Sequence, residues 1–196
     1  MRSPAPLRAV APVARVLLAV ALLGAAMLLW KNMPNKLDTW APIAVDARVG
    51  ERAVGRDLAV TVHSVDLARA LTFQQSGAPT RLPATGAWLV FTLTYEPLHD
   101  HDGRPVVRLV ADGRTYQSTV GSLRGPPVPI GVPKNGVVAF ELPDVPAAAE
   151  FKVANQTQEK WGNPLNAPLD SQISLPIDVA ALPVRDAVNL DELGAR

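Results

Sequence analysis

Between Val16 and Trp30 the chain carries no charged residue and almost nothing polar, and no polar face interrupts the run at helical spacing. Leucine, alanine and methionine favour helix there, so the pattern predicts a membrane-spanning helix over residues 13–30. At 1.5 Å per residue it would be roughly 27 Å long against a hydrocarbon core of about 30 Å, a fit that works if Arg15 and Lys31 extend outward to the headgroups. Trp30 would sit at the interface, with Trp40 near it. From residue 42 onward the pattern changes to short alternating runs broken by Gly, Pro and Asp about every ten residues, as in a β-sandwich.

The first expected strands cover residues 43–48 and 57–67, separated by a turn over Gly50 to Gly55. Leu58, Val60 and Val62 share one parity, but Val65 and Leu67 fall on the other, so either the strand ends near His63 or a bulge there resets the facing. Residues 72–86 read as a loop. Residues 87–95 follow with Leu89, Phe91, Leu93 and Tyr95 on one face and Trp88 and Val90 on the other, the signature of a central strand. Asp102-Gly103 and Asp112-Gly113 flank residues 105–111 as hairpin signals, so 105–111 should pair with 115–120. Gly125 to Pro129 forms a stiff loop, and residues 136–142, 150–155 and 172–178 supply further strands, with Phe140, Phe151, Ile173 and Leu175 in the core. From Arg185 a short helix or a frayed tail is expected.

The organisation expected is therefore a cytoplasmic N-terminus (1–12), a signal-anchor helix (13–30), a juxtamembrane spacer (31–41), one sandwich domain (42–179) and a tail (180–196). The length of 196 residues suits a single core plus an anchor. Arg2, Arg8 and Arg15 precede the helix and no acidic residue occurs before Asp38, which places the N-terminus in the cytoplasm and the rest outside. A cleaved signal peptide competes with this reading, since Gly24 and Ala26 supply small residues before Met27. In that case the domain is secreted.

Composition narrows the chemistry. With 19 Lys plus Arg against 18 Asp plus Glu, scattered singly, the chain has no footprint for nucleic acid. Its lack of cysteine excludes disulfides, thiolate metal sites and a lipid-bearing cysteine. Its 19 prolines favour strands and loops over helices.

His99, Asp100, His101 and Asp102 make the densest group of potential metal ligands, a set suited to zinc, nickel or manganese. The same residues compose a polar loop tip, and the remaining oxygens of a calcium loop are missing. The loop-tip reading is preferred, with no metal or cofactor expected. His63, Ser64 and Asp66 bring together the residue types of a hydrolase triad, but on a regular strand His63 and Ser64 point to opposite faces. Phosphate-binding glycine loops and a strained serine elbow are absent, so no catalytic residues are expected. Pro126 to Pro129 matches Pro-x-x-Pro, and Asn155-Gln156-Thr157 is a formal glycosylation acceptor.

Taken with Val49-Gly50, the strand beginning Trp88-Leu89-Val90-Phe91, the Asp112 to Tyr116 hairpin and Pro129 to Gly131, the chain resembles bacterial extracellular immunoglobulin-like domains of unknown function. These are common in actinobacteria and similar in fold to secreted mycobacterial immunoprotective antigens. The resemblance spans about Pro42 to Val179 and implies an immunoglobulin-like antiparallel sandwich on the cell surface, with no catalytic residues to carry over. Unlike some members, this chain has no lipid-attachment cysteine and no long polar linker. The function expected is a protein-interaction module, an accessory subunit of a cell-envelope complex, with its oligomeric state left open. The alternatives are lipid or glycan binding through loops 72–86 and 123–134, and metal-dependent catalysis through His99 and His101.

Overall fold

In the computed structural model, which describes residues 10–33, 42–99, 103–123, 126–155 and 171–191, the apolar run forms one helix, α1 (Val10–Asn32). At 23 residues it is longer than the sequence pattern predicts, because Val10 to Pro12 and Lys31 to Asn32 extend it at both ends. That makes it roughly 34 Å long, enough to cross a bilayer core without thinning it. From Ala14 to Met33 every side chain is exposed. The chain divides into two compact units, Met1–Thr39 and Trp40–Arg196.

The second unit is a β-sandwich. Its five-stranded sheet runs β1 (Ile43–Asp46), β10 (Ser171–Asp178), β9 (Ala148–Asn155), β5 (Pro105–Ala111) and β6 (Arg114–Gln117). The seven-stranded sheet is built on β11 (Val184–Arg185), β3 (Leu58–Gln75), β4 (Ala78–Pro97), β8 (Lys134–Leu142) and β7 (Val120–Gly121), with β2 (Arg52–Val54) and β12 (Val188–Asn189) also paired to β3. The order β3-β4-β8-β7 against β5-β9-β10 follows the two sheets of an immunoglobulin domain. Pairing is antiparallel through the centre of both sheets and parallel only at edges, where β1 joins β10 and β11 and β12 join β3.

Alternation explains the layers. Leu58, Val60 and Val62 face the core, the register then shifts between Val62 and Ser64, and Leu67 faces the core again. The parity break at His63 is therefore a bulge, and the strand continues through it. On β4, Leu89, Phe91, Leu93 and Tyr95 face the five-stranded sheet, and Phe91 stacks on Phe151 at 4.0 Å between ring centroids while meeting Phe140 edge-on at 5.8 Å. Asp112 (φ 49°) and Gly113 (φ 71°) form the β5–β6 turn as expected. The expected strand over 115–120 is cut short: β6 ends at Gln117, and the chain crosses to the other sheet as β7 beside β8. The glycine of the other Asp-Gly pair, Gly103, is bridged to Val128. Asp102 lies outside the described residues.

Two expectations are overturned. Residues 72–86 are not a loop but the paired end of a long hairpin, with Leu71 opposite Leu82 and Gln75 opposite Ala78. The segment from Arg185, expected as a short helix or a frayed tail, is strand-paired through Asn189, with β11 and β12 along β3 and Val188 buried, and turns helical only at Leu190 and Asp191. The sandwich thus runs past residue 179.

Candidate binding surface

The hairpin arm is shaped by two local features. At its tip Ser76 (φ 53°) and Gly77 (φ 81°) are both left-handed, the geometry of a two-residue turn that matches strand twist. Lower down, the register shifts between Ala68 and Ala70. This second bulge brings Leu71, Phe73, Leu82 and Ala84 into a cluster with Trp88, Val90, Val137 and Ala139, on the face of the seven-stranded sheet turned away from the main core. Val188 and Leu190 complete that cluster.

The C-terminal strands pin the arm. The Gln74 amide donates to the Asp191 carboxylate at 2.6 Å, the Thr72 hydroxyl to the Val188 carbonyl at 3.4 Å, and Arg185 pairs with Asp66 at 3.0 Å. Because Gln75 and Ala78 close the turn, the amide positions of residues 79, 81 and 83 face away from β3, and β8 pairs with β4 only from Ala87 onward. Two of those three positions are Pro79 and Pro83, which have no N–H to offer. The free edge of the arm is thereby blunted against strand addition.

What the arm leaves open is a depression of about 470 Å³ lined by Phe73, Val120, Gly121, Ser122, Val137, Leu190 and Asp191. Its chemistry is mostly aliphatic and aromatic, with the one carboxylate already engaged by the Gln74 amide. Of the two segments named for a ligand mouth, 72–86 contributes Phe73 to this depression, and none of the described residues of 123–134 lines it.

The sequence-predicted chemical sites disperse. His99 is exposed and its Nδ1 lies 2.7 Å from the Arg56 carbonyl, which can only accept, so Nδ1 donates to it. Asp100, His101 and Asp102 lie outside the described residues, and among those described no three His, Asp or Glu side chains gather as a metal group. His63 Nε2 meets the Thr94 hydroxyl at 2.7 Å, which donates to Asn135 at 2.7 Å, whereas the Ser64 hydroxyl donates to Asp66 at 3.3 Å. Serine and histidine therefore serve different partners. Asn155 is 1% exposed and its side-chain oxygen accepts from the Arg104 amide, which closes the glycosylation acceptor to modification in the folded domain. In Pro126 to Pro129, Val128 is buried and bridged to Gly103, so that segment is a docked loop.

Sequence reasoning missed a polar group sealed beneath Gly103. The Tyr95 hydroxyl is fully buried without a hydrogen-bond partner among the described residues, capped so closely by Gly103 that a Cβ there would come within 2.1 Å of it. Burial, and secondarily the nearby Asp57 carboxylate, push the Tyr95 pKa well above its ordinary value of 10.0. Since folding raises this pKa, the stabilisation is intact below the unfolded value and is lost as pH climbs beyond it. Tyr95→Phe is expected to remove that alkaline loss in urea unfolding followed from neutral to high pH. It should also stabilise the neutral-pH fold by about 1 kcal/mol, because an unpaired buried hydroxyl disappears. A variant whose stability still falls in parallel with the parent above pH 10 would disprove this role.

No family model matches this sequence, and neither does any curated protein. Among solved structures, an uncharacterised β-sandwich protein from Clostridium difficile 630 is similar at 8% identity and a TM-score of 0.43, covering 72% of this chain and 98% of its own. No activity transfers from it.

Proposed function

We propose that this chain is a membrane-anchored, extracytoplasmic protein-interaction module, an accessory subunit of a cell-envelope assembly, without catalysis or cofactor of its own. The observation that carries the reading is the helix: Ala14–Asn32 has a mean hydropathy of 1.8 and none of it is buried, so its apolar surface calls for a lipid environment. The arginines before it support an outward-facing domain. The motif resemblance to bacterial extracellular immunoglobulin-like domains supports the same address.

The contact surface on the sandwich is the depression between the arm, the C-terminal strands and β7. An apolar hollow rimmed by backbone and small side chains suits an anchoring side chain of a partner better than it suits chemistry. A photo-crosslinking side chain at Ser122 of the full-length protein should capture one membrane protein, and Phe73→Asp should abolish the adduct while leaving the membrane fraction unchanged. Capture that survives Phe73→Asp would remove the depression from the reading. Recovery of the protein in the soluble fraction after alkaline washing, with a mature end at Met27, would replace the anchor by a signal peptide.

The volume of the same depression, about 470 Å³, also favours a second reading, in which it takes a lipid chain. A thermal shift with extracted envelope lipids that Phe73→Asp abolishes would select this reading over a protein partner.

A further inference from the structure

We infer that the end of the sandwich at which the chain enters β1 is a lipid-contacting surface, with Ile130 and Val132 seated among the headgroups of the bilayer that holds α1. This inference rests on the anchor reading above.

The tether is short. Between Met33 and Ile43 the backbone reaches at most about 35 Å when fully extended. The end of the domain that carries Ile43 is therefore the end held near the membrane. Ile43 pairs with Ser171 at the start of β10, and Ser171 accepts the Arg56 amide at 2.6 Å, which places the β2–β3 turn at the same end.

The loop before β8 also belongs to this end. The Gly131 amide donates to the Pro97 carbonyl at 2.8 Å, and Val132 N–H closes a turn onto Pro129 at 3.1 Å. Prolines at 129 and 133 stiffen the turn on both sides. Its tip carries Ile130 and Val132, 46% and 47% exposed, and Ile43 beside the tether is 60% exposed. A rigid backbone that holds branched aliphatic side chains in water is poorly explained by folding, since neither residue is in the core. The exposed Arg104 and half-buried Lys134 flank this end and suit lipid phosphates.

The absence of cysteine makes the test direct, because single cysteines can be placed in the full-length chain without competing thiols. Ile130→Cys, Val145→Cys and Leu22→Cys are labelled with an environment-sensitive fluorophore and reconstituted in nanodiscs of mixed phosphatidylcholine and phosphatidylglycerol. Val145 is 49% exposed but lies between β8 and β9, at the opposite end. Shallow nitroxide lipids should quench the label at 130 several-fold more than that at 145, and adding Val132→Asp should bring the two together. Equal quenching at 130 and 145 overturns the inference, as does quenching at 130 that Val132→Asp leaves unchanged. The label at 22 separates the two levels: deep nitroxide lipids must quench it if α1 spans, and its failure to respond overturns the anchor reading together with this one.

Discussion

Phe91→Ala is expected to cost the domain about 3–5 kcal/mol, as large aromatic truncations in closed cores do. Phe91 is fully buried on β4, which has partners on both sides, and its ring lies 4.0 Å from Phe151 across the sandwich at an interplanar angle of 12°. Removing it strips the stacking partner from the opposite sheet and the edge contact from Phe140 at 5.8 Å in one step. A single domain has about 5–15 kcal/mol in total, so the variant should be near its folding threshold at growth temperature. Urea unfolding of the full-length protein in detergent measures the loss, with Phe91→Leu as the volume-sparing comparison. A loss under about 1.5 kcal/mol, the range of volume-sparing swaps, would mean the two sheets are not closed on one another at this point.

Phe91 was also among the most legible positions in the sequence. A run in which Leu89, Phe91, Leu93 and Tyr95 alternate with Trp88 and Val90 has only one arrangement that buries both sets, a strand with neighbours on both sides and cover on both faces. The parity break at His63 was readable as either a strand end or a bulge, and the register shift between Val62 and Ser64 decides for the bulge. Asp112-Gly113 announced its turn through two residues that tolerate positive φ.

The arm was hidden by its prolines. Pro79 and Pro83 read as breakers, and they would be if their amide positions faced β3; they face the edge, where a missing donor costs nothing. That direction depends on the turn at Ser76-Gly77, whose residues carry a weaker signal than Asp-Gly. β2, β11 and β12 have two or three residues each, too few to show any period, and their pairing to β3 is decided by tertiary contact. Of the candidate chemistry, residue types were legible and companionship was not. His63 and Ser64 are adjacent in sequence, yet one joins a polar row across β3, β4 and β8 while the other turns to Asp66. The depression draws on Phe73, Val120, Val137 and Leu190, from four separate stretches of chain, and no local pattern could have assembled it.

Truncation after Pro183 is the second large expected effect. If the last segment were a loose tail, its removal would change stability by a few tenths of a kcal/mol at most. Instead it deletes Val188, which is 4% exposed in the cluster over Trp88 and Val90, together with the partly buried Leu190. Burial of one aliphatic side chain is worth about 1.5–3 kcal/mol. It also removes Arg185 from Asp66, a residue that is 9% exposed, leaving the Ser64 hydroxyl as its remaining bond among the described residues. The combined loss should be about 3 kcal/mol or more, because a buried charge stripped of its partner is costly on its own. Hydrogen exchange locates it: the Gln74 amide, which donates to Asp191, and the neighbouring arm amides should lose protection, while β9 and β10 in the other sheet keep theirs. Leu190→Ala separates stability from recognition. Leu190 lines the depression while only partly buried, so this variant should lose crosslinking at Ser122 with little change in unfolding. Full crosslinking by Leu190→Ala would show that the partner does not use this wall. An unaltered urea midpoint in the truncated chain would show that the C-terminal strands do not hold the arm.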